Sequence, residues 1–142
     1  MAAIPALWYF VPVASLVALL SAYLFFRSMI KMPEGTSRMR EIAQYVKEGA
    51  FAYLSRQYKT VSIVFALLFL VFVVLAILGI QNPFVPIAFL TGGFFSGLCG
   101  FLGMKTATSA SSRTAAGAQN SLNKGLVIAF RSGAVMGLVV VG

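Results

Sequence analysis

Histidine is absent from this chain of 142 residues, and its acidic side chains number three: Glu34, Glu41 and Glu48. That scarcity excludes a good deal of chemistry. Divalent-metal sites are assembled from clustered carboxylate, imidazole or thiolate ligands, and ion-coupling sites inside membranes use a buried carboxylate. None of the apolar runs contains a carboxylate, so the sequence offers no catalytic, cofactor-binding or metal-binding residue. The one cysteine, Cys99, lies in an apolar segment without a partner, which excludes a disulfide framework and leaves it as a small packing group. Charge is rare, 10% of residues, and one-sided, with 11 Lys and Arg against three Glu for a net charge of +8. In a soluble chain that excess would suggest nucleic acid. Here the basic residues flank apolar runs and are not interleaved with aromatics, so the positive-inside bias of membrane proteins explains them and no nucleic-acid partner is expected.

What the chain has is apolar length. It is 60% hydrophobic with a mean hydropathy of +0.93, outside the range of soluble domains. Four runs, at about 6–26, 60–80, 84–104 and 125–142, approach the ~20 residues that cover a hydrocarbon core ~30 Å thick. The fold class is therefore all-α, a polytopic transmembrane bundle of four helices embedded in a lipid bilayer. The first run is followed, not preceded, by Arg27 and Lys31, so it reads as an anchor with its N-terminus outside. Pro5 and Pro12 sit near its start. The connection 27–40 carries four basic residues against Glu34 and is expected to face the cytosol.

Residues 36–80 read as one long helix in two halves. In 37–59, Met39, Ile42, Ala43, Val46, Ala50, Tyr53 and Leu54 follow three- and four-residue spacing, while Arg40, Glu41, Gln44, Lys47, Glu48 and Arg56 lie elsewhere on the wheel. This half is expected to be an amphipathic cytosolic helix leading into the second span, capped by Thr36 or Ser37 after Pro33 and Gly35. Asn82 and Pro83 mark a turn outside the membrane. In the third span Gly92, Ser96 and Gly100, and Gly93 and Gly97, recur at four-residue spacing, which suits close helix packing. Its cytosolic continuation, 105–123, is small, polar and basic; Arg113 there can pair with Glu41 or Glu48. Arg131 interrupts the fourth run, either snorkelling to the inner interface or serving an ion path. Only 11 uncharged residues follow it, too few to finish a crossing, so the chain is expected to be the N-terminal fragment of a longer protein.

Three stretches, EIAQYVKEGAFAYLSRQYK (41–59), GMKTATSASSRTAAGAQ (103–119) and AFRSGAVMGL (129–138), together with PEGT (33–36), resemble the N-terminal part of the membrane-bound, ion-translocating inorganic pyrophosphatases. The resemblance implies a homodimer with about sixteen transmembrane helices per subunit in inner and outer rings, the four helices here belonging to the outer ring. It implies an integral, multi-pass protein of a prokaryotic plasma membrane that couples hydrolysis of inorganic pyrophosphate to translocation of H+ or Na+. It further implies magnesium as cofactor, with K+ or Na+ as further ion requirements. The family's aspartate-rich substrate motifs match nothing in 1–142, so the resemblance assigns no catalytic, cofactor or metal residue to this chain. The alternatives are a non-enzymatic multi-span scaffold and a transporter subunit.

Overall fold

The computed structural model describes residues 6–142. After a short 3-10 turn (Ala6–Tyr9) come four α-helices: α1 (Phe10–Ile30), α2 (Ser37–Ile77), α3 (Val85–Asn120) and α4 (Leu122–Val141). All four are long and apolar enough to cross a membrane. Pro12 falls in the first turn of α1, where the missing N–H has no helical acceptor to lose; Pro5 lies outside the described residues.

The helix ends follow local chemistry. Thr36 caps α2, its hydroxyl accepting from the Met39 amide at 3.3 Å, and Ser37 becomes the first helical residue. Just before it, Gly35 adopts φ +86°; a Cβ there would collide with the Met39 sulfur and stand 2.9 Å from the Ala116 Cβ of α3. At its far end α2 stops at Ile77 because Gly79, at φ +71°, closes a Schellman motif: the Ile80 amide donates to the Leu75 carbonyl and the Gly79 amide to the Ala76 carbonyl, both at 3.1 Å. The Asn82 side chain accepts from the Phe84 amide at 2.9 Å, turning the chain into α3, whose first turn holds Pro86. Ser121, in extended conformation, is the one residue separating α3 from α4. Gly117 and Gly125 let the two helices close at once. A Cβ on Gly117 would lie 2.8 Å from Ile128 Cδ1, and one on Gly125 2.8 Å from the Ala118 Cβ.

At ~1.5 Å per residue the 41-residue α2 and 36-residue α3 are about 60 and 55 Å long. Neither is interrupted, so both continue well beyond what a bilayer core requires. Packing places α3 against both α2 and α4, and α1 against α4 with a smaller contact to α3. The lateral order is thus α2, α3, α4, α1; among the described residues, the sequence neighbours α1 and α2 do not pack together. A small core of Met29, Ala110 and Ile128, flanked by Phe26 and Met32, joins α1, α3 and α4. Between α2 and α3 the contact is aromatic: Phe65 stacks on Phe89 with ring centroids 4.0 Å apart, Phe72 meets Phe89 edge-on at 5.0 Å, and Phe51 meets Phe101 at 5.8 Å.

Candidate functional site

Polar side chains converge at one end of the bundle. Arg113, on the continuation of α3, has its side chain only 11% exposed and places its Nη2 2.7 Å from the Glu34 carboxylate in the α1–α2 connection. Its Nε donates to the Ile30 and Met32 carbonyls at 3.3 and 3.2 Å, and its Nη1 to the Ser109 carbonyl. One guanidinium therefore satisfies the open carbonyl end of α1, where a cation is also favoured by the helix dipole, and pins the link that leads into α2. Sequence reasoning offered Glu41 or Glu48 as its partner. Those carboxylates are engaged within α2, Glu41 with Arg38 at 2.9 Å and Glu48 with the Gln44 amide at 2.8 Å. Glu34 takes the role because the turn at Gly35 lies against Ala116, one helical turn from Arg113.

Arg131 of α4 donates to the Ser28 hydroxyl of α1 at 2.7 Å, a tie between the first and last helices. The sequence marked Arg131 as unusual but gave no signal for Ser28, since hydroxyls abound and the α1–α4 contact spans 103 positions. The small residues of α3 divide. Gly93 lies under the Phe65 ring, so that any Cβ there would overlap it; a Cβ on Gly100 would come 3.0 Å from the Tyr58 hydroxyl, and one on Gly103 3.0 Å from the Met136 sulfur. Gly92, Gly97, Gly133 and Gly137 meet nothing within 4 Å. Gly97 serves through its backbone, its carbonyl accepting from the Tyr58 hydroxyl. Cys99 is unpaired and partly buried, its thiol 3.6 Å from the Val139 carbonyl.

Among the described residues no three His, Cys, Asp or Glu side chains come together as a metal site. What the contacts described here do is hold helices in register.

Fold and contacts together define a polytopic α-helical membrane protein whose polar groups tie helix to helix. Residues 16–142 match the family of inorganic H+ pyrophosphatases, and the chain belongs to that family. It is similar, at 62% identity over 137 residues, to a putative K(+)-stimulated pyrophosphate-energized sodium pump of Bacteroides thetaiotaomicron, covering 96% of this chain and 19% of the relative. Similarity to the K(+)-insensitive pyrophosphate-energized proton pump 2 of Moorella thermoacetica is 45% over 130 residues, covering 92% and 18%. With the K(+)-stimulated pyrophosphate-energized sodium pump of Thermotoga maritima it is 37% over 144 residues, covering 98% and 18%. The chain thus spans less than a fifth of the length of these relatives.

Proposed function

We propose that this chain is the N-terminal, outer-ring portion of a pump that couples hydrolysis of inorganic pyrophosphate to translocation of H+ or Na+. The observation that carries the reading is the family match over residues 16–142, supported by relatives that are all named for pyrophosphate-driven ion pumping. The 62% identity to a relative named as a K(+)-stimulated sodium pump favours Na+ as the transported ion and K+ as activator over the proton alternative. Magnesium would accompany pyrophosphate, neutralising phosphate charge and polarising the bond to be broken. Its ligands and the catalytic carboxylates would come from outside residues 1–142, and no residue of this chain would touch the substrate. The role of the chain is then architectural. Arg113 and Arg131 fix the order of the four helices, and the exposed apolar side chains, such as Phe94, 68% exposed, and Phe130, 80% exposed, are covered by lipid and by the rest of the subunit. In this reading the protein is a homodimer in a prokaryotic plasma membrane. Its N-terminus lies outside, its basic end (Arg27, Lys31, Arg40, Lys47, Lys105 and Arg113) faces the cytosol, and residues 37–59 form the cytosolic approach to the second span.

The test is pyrophosphate hydrolysis by membranes expressing the full-length protein, with magnesium, across combinations of Na+ and K+. Hydrolysis that requires Na+ and rises with K+ is expected. Hydrolysis indifferent to both ions would support the proton reading, and no hydrolysis by folded protein would remove the enzymatic one.

A further inference from the structure

At the end of the bundle where the basic residues collect, α2 and α3 enclose a cleft of about 260 Å3. Its α2 wall is the stripe formed by positions 40, 43, 44 and 47, residues that share a helix face by their three- and four-residue spacing. Arg40 and Lys47 stand at the two ends of that stripe, and neither is in an ion pair; the described ion pairs are Arg38 with Glu41 and Arg113 with Glu34. The α3 wall contributes Ser112, 7% exposed, beside Arg113. No protein group engages the Ser112 hydroxyl among the described hydrogen bonds, whereas the neighbouring hydroxyls of Thr108 and Ser111 are both spent on backbone carbonyls of α3. Glu34 is the one acid in the lining, and it is already neutralised by Arg113. The cleft therefore presents two uncompensated cations and the free hydroxyls of Ser112 and Ser109.

Its depth narrows the choice of ligand. Ile30 and Thr108, both in the lining, each lie three residues past the first charge that ends an apolar run, Arg27 on α1 and Lys105 on α3. At the helical rise this puts the α1 and α3 edge of the cleft about 5 Å beyond the apolar layer, in the headgroup zone. Lys47 on α2 lies twelve residues, about 18 Å, before Lys59, so the cleft runs from that zone toward the aqueous side. Phosphate oxygens at that level meet what they bind best: charge-assisted hydrogen bonds from a guanidinium and an ammonium, and one from a hydroxyl.

We propose that this cleft is a binding site for a phosphate group, held by Arg40, Lys47 and Ser112, and supplied either by the headgroup of an anionic lipid or by free inorganic phosphate. Binding is measured without turnover, so the proposal stands or falls independently of the pump reading.

The experiment uses full-length protein purified in detergent, depleted of lipid, and titrated separately with short-chain phosphatidylglycerol and with inorganic phosphate. Wild type is compared with the double variant Arg40→Gln/Lys47→Gln, with Ser112→Ala, and with Arg38→Gln, which removes an exposed cation that does not line the cleft. Loss of two charge-assisted contacts is expected to weaken binding of at least one probe about tenfold or more, with Ser112→Ala intermediate and Arg38→Gln unchanged. Weakening confined to phosphatidylglycerol assigns a lipid headgroup, weakening confined to phosphate assigns the free anion, and weakening of both assigns a site open to either. Wild-type binding of both probes by the double variant and by Ser112→Ala, or no binding of either probe by wild type, overturns the proposal. The second result is also what a cleft filled by a carboxylate from elsewhere in the full-length protein would give.

Discussion

Arg113 concentrates more cross-links than any other side chain described here: one carboxylate and three carbonyls, reached from a largely buried position. Replacing it with alanine leaves the Ile30 and Met32 carbonyls without their donor and is expected to cost about 2 kcal/mol, the range for hydrogen bonds to a charged group. Glu34 is 44% exposed on its side chain, so its attraction to Arg113 is screened. Glu34→Gln is therefore expected to cost under about 1 kcal/mol, because the amide oxygen still accepts. Thermal melting of the full-length protein in detergent checks the ranking; equal losses from Arg113→Ala and Glu34→Gln would mean that the ion pair, not the carbonyl bonds, carries the effect. Arg131→Ala removes the tie to Ser28. It is expected to lower thermal stability or dimer yield while leaving the apparent affinity for magnesium pyrophosphate unchanged. An affinity change with normal assembly would place Arg131 in the working machinery instead.

The helices themselves were largely legible in the sequence, for reasons that are local. Apolar runs of about the right length, a capping threonine behind Gly35, and an Asn-Pro turn all act within a few residues. The single-residue α3–α4 turn was not legible because Gly117 and Gly125 act across it, and only a neighbour's position shows which glycine is needed for close approach. The small residues of α3 make the same point. Spacing alone grouped Gly93 with Gly97, yet only Gly93 lies beneath an aromatic ring. Gly93→Ala is expected to destabilise by about 1 to 3 kcal/mol through overpacking against Phe65. Part of that loss should return when Phe65 is trimmed to leucine, since the two sites are in contact and should couple. A double-mutant cycle on thermal stability measures it, and strict additivity would mean that the clash is relieved elsewhere. Within this chain Gly97→Ala has room, so a large loss there would report a helix from outside residues 1–142. At the end of α2, Gly79→Ala is expected to cost about 1 kcal/mol, because φ +71° suits glycine and not an L side chain.

For the whole molecule, the lateral order α2, α3, α4, α1 could not be read from the sequence. Hydropathy gives the candidate crossings and the basic residues an expected orientation, but lipid-like faces do not specify neighbours; that choice rests on small-residue contacts and polar ties. Here the ties are Arg113 to the Ile30 carbonyl at the end of α1, Arg131 to Ser28, and Tyr58 to the Gly97 carbonyl. They join residues 83, 103 and 39 positions apart. The absence of histidine and the scarcity of carboxylates were legible at once, and they set the division of labour proposed here, with residues 1–142 as scaffold and the reaction in the remainder of the subunit. The most direct measurement is ion accumulation in sealed vesicles containing the purified full-length protein, energised with magnesium pyrophosphate in the presence of K+. Pyrophosphate-dependent uptake of Na+ that is collapsed by a sodium ionophore, and that persists with a proton uncoupler present, is the expected result. Hydrolysis without accumulation of either Na+ or H+ would contradict the account.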